Sequence, residues 1–261
     1  MSEIFTEMIE VAGGELRYAK RLLVEGGEVA WRRWLDWLID DYFRLDVLGL
    51  ENIPTEGAGV VVANHSGAWA LDAFVLHRVL VRRLDRRVKV LAAPLVFRMP
   101  VAGSYARKTM SVVPIDPLMG LEHLKAGELV GVFPEGMSGL EKPFHERYRL
   151  RPFSPGYAVA ALRAGAPVIP VAVIGAEESC PRLGEVPAIA RMFGLPFFPV
   201  TPPFPLPAKW VIAVGEPIPA PERPRAFAER HAVSARFNER VQAAVQELVD
   251  REREKRDTLF A

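Results

Sequence analysis

Short apolar runs alternate with helical segments along most of this chain, and that alternation limits the folds open to it. Strands alternating with helices are typical of α/β folds with parallel pairing. We therefore predict an α/β fold: a single domain with a mixed, largely parallel sheet flanked by helices. The predicted strands are Arg44–Leu48, Gly59–Ala63, Val88–Ala92, Ser111–Ile115, Leu129–Phe133, Val168–Ile174 and Trp210–Gly215, and the predicted helices are Asp72–Val81, Leu118–Ala126, Ser154–Arg163 and Arg225–Lys255.

Two further helices are predicted ahead of the first strand, over Ile4–Val24 and Glu28–Phe43. The second carries Trp31, Trp34 and Trp37 beside two arginines. Tryptophan flanked by arginine is favoured at a lipid headgroup boundary, but a helix also packs such a stripe against a protein core. Both interpretations stay open. We assign residues 1–43 to an N-terminal helical element and residues 44–261 to the main domain.

Charge and cysteine content exclude several classes of function. The chain has 33 basic and 32 acidic side chains, so its net charge is +1. A chain this close to neutral has no strong positive potential with which to bind nucleic acid. Its one cysteine, Cys180, excludes an internal disulfide framework and a cysteine-built metal site. The histidines have no ligand-like spacing. We predict neither a nucleic-acid partner nor a metal.

No segment has the length and composition of a membrane-spanning helix. The longest stretch without Asp, Glu, Lys or Arg is Met192–Ala208, which has 17 residues and contains six prolines. A spanning helix needs about 20 apolar residues, and prolines break it. The segment Met1–Glu10 has acidic residues and no apolar core, unlike a signal peptide. We expect a cytoplasmic protein that can still lie on a membrane surface.

The first candidate for chemistry is His65, which follows the apolar strand Gly59–Ala63 and precedes Asp72 by seven positions. Ligands of α/β sheets lie at the carboxyl ends of strands, and a histidine oriented by a carboxylate is a competent general base. On one continuous helix the pair would be separated by about 10.5 Å, too far for a hydrogen bond. The chain must therefore turn between them, and Ser66-Gly67 supplies the flexible point. A chance His–Asp pair is the alternative.

Two other strands end in notable residues. The apolar strand Leu129–Phe133 is followed by Pro134, Glu135 and Gly136, and a glycine there allows close approach of a ligand to the backbone. An ordinary strand-ending turn would have the same composition. The strand Val168–Ile174 contains Pro170, which alone would indicate an edge strand or a bulge.

Taken together, these motifs resemble those of the glycerolipid acyltransferase family, whose best-known members acylate lysophosphatidic acid. The matching blocks are Asn64-His65 with Asp72, then Phe133-Pro134-Glu135-Gly136, then Val168-Ile169-Pro170-Val171. The resemblance covers about Arg44 to Pro219, which makes residues 44–261 the acyltransferase domain. Six residues separate His65 from Asp72, where the family usually has four, and this longer spacing is typical of a divergent bacterial branch.

The family's second block normally ends in an arginine that grips the acceptor's phosphate. The matching position here is Pro117, so the fork that would bind a phosphate bidentately is missing. Nearby basic residues that could replace it are Arg107, Lys108, Lys142, Arg149 and Arg151, although each taken alone fits a solvated surface charge better.

The resemblance implies a membrane-peripheral acyltransferase, on the inner face of the membrane. It would move a fatty acyl group from an acyl thioester of coenzyme A or acyl carrier protein to a hydroxyl of a glycerolipid or lysophospholipid. His65 would be the general base and Asp72 would orient it, while Pro134, Glu135 and Gly136 position the acceptor together with Arg107, Lys108 and Lys142. No cofactor beyond the thioester co-substrate is implied.

Two alternative functions stay open from the sequence. An ester or thioester hydrolase on an α/β scaffold usually carries Gly-x-Ser-x-Gly, and the nearest sequence, Pro152-Phe153-Ser154-Pro155-Gly156, lacks the first glycine. A non-catalytic lipid-binding protein of the membrane surface is suggested by the tryptophans and by the proline-rich apolar stretch. An acidic setting around Cys180 disfavours a covalent acyl-thiol intermediate.

Overall fold

Seven strands form one sheet in which parallel pairing dominates. The computed structural model describes residues 26–84, 86, 88–93, 96, 106–108, 110–115, 117–193 and 197–256. Within them the sheet has the order β1-β9-β6-β2-β5-β3-β4, and only the β6–β9 pairing is antiparallel. The strands are β1 (Asp46–Leu48), β2 (Gly59–Ala63), β3 (Val88–Ala92), β4 (Val113–Pro114), β5 (Leu129–Val132), β6 (Val168–Ile174) and β9 (Val211–Val214). A separate antiparallel pair is formed by β7 (Gly184–Glu185) and β8 (Pro199–Val200).

Helices cover both faces of this sheet. They are α1 (26–37), α2 (Leu71–Arg83), α3 (Pro117–Lys125), α4 (Met137–Leu140), α5 (Gly156–Ala164), α6 (Ala176–Ser179), α7 (Pro187–Phe193) and α8 (Phe227–Glu254). The α/β prediction is confirmed, and the predicted main-domain elements agree with the observed ones to within two residues at each end. The short elements β7, β8 and α7 were not predicted. The predicted helix Ile4–Val24 lies outside the described residues.

The core has two layers because the central strands are buried on both faces. Val61 and Ala63 of β2 join the cluster that contains α1 and α2, whereas Val60 and Val62 join the cluster that contains α3, α5 and α8. A strand buried on both faces needs a continuous apolar sequence, which is the pattern of β2, β5 and β6.

Pro170 lies in a central strand, so the edge-strand interpretation is wrong. The ladder between β6 and β9 covers only Val171–Ile174, and Gly215 beyond β9 donates its N–H to the Pro170 carbonyl at 2.8 Å. The missing N–H of the proline therefore falls where regular pairing with β9 has already ended.

The described part of the N-terminal element packs on the core. Leu35 on α1, and Leu38 and Phe43 after it, are fully buried, and the Phe43 ring stacks on the Trp210 ring at 4.5 Å. Trp37 stays 42% exposed beside Phe204, which is 45% exposed. Both interpretations of this segment therefore hold in part: Leu35, Leu38 and Phe43 pack in the core, and Trp37 faces outward. Among the described residues, no helix is long and apolar enough to cross a membrane.

Candidate active site

Three neighbouring parallel strands bring the predicted motifs to one edge of the sheet. The order β6-β2-β5 places the carboxyl ends of these strands side by side. His65 follows β2, Glu135 follows β5, and Glu177 follows β6. Asn64 fixes the end of β2 against β6, because its buried amide bonds both the N–H and the carbonyl of Val173.

His65 and Asp72 form a direct pair. Nδ1 of His65 lies 2.8 Å from Oδ2 of Asp72, whose side chain is fully buried. The chain turns between them as predicted, with Gly67 at φ +81° and Ala70 at φ +53°. A Cβ on Gly67 would lie 2.7 Å from the carbonyl oxygen of Ala176, so this turn requires glycine for space as well as for conformation.

The carboxylate of Asp72 is held by two backbone N–H groups as well. Oδ2 accepts the N–H of Ser66 at 2.7 Å, and Oδ1 accepts the N–H of Ala73 at 2.8 Å in the first turn of α2. With both oxygens accepting, the group at His65 Nδ1 must be a donor. This pairing leaves Nε2 of His65 as the nitrogen that can take a proton.

Glu135 holds the backbone of the histidine. Its Oε1 accepts the N–H of His65 at 2.8 Å, and its Oε2 accepts the N–H of Arg151 at 2.7 Å. The side chain of Glu135 is fully buried, so its carboxylate holds the backbone at His65 and Arg151 from the protein interior. Pro134 accepts a hydrogen bond from the N–H of Ser154, and Gly136 adopts φ +55°, ψ −143°, which favours glycine.

Lys142 links Glu135 to a second buried carboxylate, and the surface-charge interpretation of this lysine is therefore wrong. Its Nζ lies 2.9 Å from Glu177 and 3.4 Å from Glu135, and the side chain is 1% exposed. Burial alone would lower the pKa of Lys142, but the two carboxylates outweigh it and raise the pKa. Burial raises the pKa of Glu177, which Lys142 and the N–H of Tyr148 offset in part.

Three contributors to the site were not predicted from the sequence: Glu177, Gly139 and the ring of Phe133. A Cβ on Gly139 would lie 2.5 Å from the His65 carbonyl oxygen, so α4 packs directly on the histidine. The Phe133 ring lies 4.7 Å from the His65 ring. Phe133 could have been found from its place in the third block, whereas Glu177 gave no local signal beyond its position after β6.

The other predicted basic residues lie around this centre in different settings. Lys108 pairs with Glu28 of α1 at 3.0 Å, and Arg107 beside it is exposed. Arg151 pairs with Glu146 at 2.6 Å, while its own N–H goes to Glu135. Arg149 lines an open cleft together with Arg147 and Arg253.

An apolar cleft of about 250 Å³ opens in front of His65. Its walls come from the start of α2, from β3, from residues 110–115, from the turn after β5, and from Phe197–Pro199. Among the described residues that line it, His65 is the only ionisable one. A proton acceptor on the wall of an apolar slot can act on a hydroxyl next to a bound hydrocarbon chain.

Other reactive groups in the described residues have no comparable setting. Burial and the nearby Asp72 charge raise the pKa of Cys180 to about 12, so its thiol stays protonated. The described residues contain no group of three His, Cys, Asp or Glu side chains that could hold a metal ion. His123 pairs with Glu128 at 2.5 Å, but this pair precedes β5 and lies away from the carboxyl edge.

Several known proteins share sequence or fold with this chain. The model of a family described as Acyltransferase matches residues 44–174. An uncharacterised protein of Mycobacterium tuberculosis (strain ATCC 25618 / H37Rv) is 40% identical over 235 residues, which cover 84% of this chain and 64% of the relative. The chain thus spans just under two thirds of that relative's length.

Two named enzymes are also similar. The chloroplastic 1-acyl-sn-glycerol-3-phosphate acyltransferase BAT2 of Brassica napus is 30% identical over 163 residues, covering 58% of this chain and 43% of that protein. The crystal structure of the 1-acyl-sn-glycerophosphate acyltransferase PlsC from Thermotoga maritima superposes with a TM-score of 0.57 at 21% identity. It covers 93% of this chain and 84% of the PlsC chain, which confirms the fold.

Proposed function

Because the chain belongs to the glycerolipid acyltransferase family, we propose that it transfers a fatty acyl group from an acyl thioester to a hydroxyl of a glycerolipid or lysophospholipid. The observation that carries the proposal is the His65–Asp72 pair on the wall of an otherwise apolar cleft. The thioester would be that of coenzyme A or acyl carrier protein. The similar enzyme of Brassica napus is named for a 1-acyl-sn-glycerol-3-phosphate acceptor, and this supports the same acceptor class here.

The reaction needs one proton shuttle and no covalent enzyme intermediate. Nε2 of His65 takes the proton of the acceptor hydroxyl as its oxygen attacks the thioester carbonyl carbon. A C–O bond forms, the C–S bond breaks, and the imidazolium returns the proton to the departing thiolate. Asp72 stabilises the imidazolium through Nδ1. General base catalysis of this kind contributes about 10²–10⁴-fold.

Glu135, Lys142 and Gly136 shape the site around His65 and take no part in the proton transfer. Glu135 fixes the backbone N–H of His65, and Lys142 holds Glu135 in place from inside the protein. Gly136 lies on the cleft wall, where the absence of a side chain leaves room for the reacting groups. The hydrocarbon chain occupies the apolar cleft, where each buried methylene contributes about 0.8 kcal/mol.

We propose membrane association at the inner face, and exposed aromatic side chains around the cleft support the association itself. Trp69 is 41% exposed and meets Phe198 edge-on at 6.4 Å, and both line the cleft. Phe204, a few residues beyond Phe198, contacts the exposed Trp37. Tryptophan and phenylalanine in this arrangement favour the headgroup boundary. A protein seated on this patch takes its lipid substrate from the bilayer directly into the cleft.

Thioester cleavage measured with and without a lipid alcohol tests the proposal. We expect labelled acyl groups to appear in an ester product, and cleavage to rise strongly when 1-acylglycerol 3-phosphate is supplied in mixed micelles. Cleavage that is independent of every acceptor offered, with free fatty acid as the only product, would instead identify a hydrolase. Absence of both products would favour a non-catalytic lipid-binding protein.

A further inference from the structure

A second cleft, of about 300 Å³, lies next to the catalytic edge and has the opposite character to the apolar one. Its lining comes from the loop after α4, from α6 and from the end of α8, namely His145, Arg147, Tyr148, Arg149, Glu178 and Arg253. The loop after α4 follows β5 and α6 follows β6, so the cleft opens at the edge of the sheet that also carries His65.

The arginines of this cleft carry uncompensated charge. Within the described part of the chain, neither Arg147, Arg149 nor Arg253 forms an ion pair with a carboxylate, and each has solvent access. The one acidic lining residue, Glu178, is 1% exposed and pairs with Arg256 at 2.7 Å. The cleft therefore presents a positive surface, since its only carboxylate is already neutralised.

Two of these arginines are held in place by aromatic rings. The Arg147 guanidinium lies 4.5 Å from the centre of the Phe144 ring, and the Arg253 guanidinium lies 6.0 Å from that of Tyr148. Tyr148 is itself fixed, because its N–H bonds the buried carboxylate of Glu177 at 2.7 Å. Stacked guanidiniums lose less conformational freedom when a ligand binds than free ones do.

Arg147 also connects this cleft to the catalytic centre. It lines a small polar pocket together with Gly67 and Gly139, the two glycines that pack around His65 and its turn. The positive cleft and the turn that carries His65 are therefore neighbours, with Arg147 between them.

We propose that Arg147, Arg149 and Arg253 form a phosphate-binding subsite for the phosphorylated part of a substrate. Planar guanidinium forks match phosphate oxygens bidentately, and none of the three pairs with a carboxylate of the described residues. The inference rests on the proposed function for the identity of the ligand. Either the phosphates of a coenzyme A donor or the phosphate of the acceptor supplies the same chemistry.

Direct binding distinguishes these two sources. Adenosine 3′,5′-bisphosphate stands for the phosphorylated end of coenzyme A, and glycerol 3-phosphate stands for the acceptor. Each is titrated by calorimetry into the intact protein at low salt, and then into Arg147→Gln and Arg253→Gln. Arg163→Gln is the matched control, because Arg163 is exposed at the end of α5, next to the amino end of β6.

We expect each cleft variant to weaken binding of one probe by about tenfold or more, and the control to leave it unchanged. The probe affected identifies the source of the phosphate. The proposal is overturned when neither probe binds the intact protein, or when cleft and control variants bind equally well. Binding is measured without turnover, so an inactive preparation still gives a result. If the protein is active but binds neither probe, the phosphate subsite is refuted and the proposed acyl transfer is not.

Discussion

Lys142 offers the sharpest test of how the site is built, because it is a buried cation between two buried carboxylates. In Lys142→Met the aliphatic volume is largely kept, so the main change is the loss of the ammonium group. Glu135 and Glu177 are then left buried without their shared partner. Their side chains are 0% and 7% exposed, so both carboxylates stay largely shielded from solvent.

The expected loss of stability is large for a single substitution. Removing one partner of a buried ion pair costs about 3–5 kcal/mol, because an uncompensated charge stays inside. For a chain of this size that corresponds to a fall in Tm on the order of 10 °C. Acyl transfer should fall as well, because Glu135 also holds the N–H of His65.

The loss should depend on pH with a definite sign. Burial raises the pKa of Glu177, and the Lys142 ammonium offsets part of that rise. A carboxyl with a raised folded pKa contributes stability that is complete below the unfolded pKa and is lost as pH rises through the folded value. Without the lysine the folded pKa rises further, so the deficit is greatest at neutral pH. It shrinks as pH falls towards the unfolded value of about 4.3.

Denaturant unfolding of four proteins measures this: the intact chain, Lys142→Met, Glu177→Gln and the double variant. Glutamine keeps an oxygen that can accept the Tyr148 N–H, so the double variant should recover part of the loss. The account of the buried network is refuted if Lys142→Met unfolds like the intact chain at pH 7. It is also refuted if Lys142→Met lowers the free energy of unfolding by the same amount at pH 5 and at pH 7.

Three further outcomes are expected. Asp72→Asn should lower kcat by between about 100- and 10,000-fold with little change in KM, because an amide cannot accept all three N–H groups; an unchanged kcat contradicts the role given to the pair. Val112→Phe narrows the apolar cleft, and competing thioesters should show a preference shifted to shorter chains, by roughly fourfold per methylene excluded. If long chains are still preferred, they bind elsewhere. Trp37→Ala with Phe204→Ala should reduce sedimentation with anionic vesicles relative to Val159→Ala, an exposed position on α5; equal sedimentation removes the patch from the membrane-binding surface.

Much of the fold could be predicted because the central strands are buried on both faces. Continuous apolar runs such as Gly59–Ala63 and Val168–Ile174 have bounds that the local sequence sets, and they reappear unchanged in β2 and β6. The turn at Gly67 could also be predicted, since a His–Asp pair seven residues apart needs a break in the helix. Both are properties of neighbouring residues.

The rest depends on contacts between distant residues. The sequence around Lys142 is that of a surface charge, because nothing near it in sequence indicates that it pairs with Glu177 inside the protein. Arg147 and Arg253 share a cleft although more than a hundred residues separate them. His123 with Glu128 has a shorter local spacing than His65 with Asp72, yet only the latter pair lies at the carboxyl edge of the sheet. Topology, and not spacing, separates the two pairs.

The central claim is that His65 is the base in an acyl transfer, and one comparison tests it most directly. Initial rates of labelled acyl transfer to a lysophospholipid are measured for the intact protein, His65→Ala and His123→Ala, with Tm recorded for each. We predict that His65→Ala retains its fold and loses about 10²–10⁴-fold in rate, while His123→Ala keeps the rate of the intact protein. Undiminished transfer by a folded His65→Ala would contradict the account.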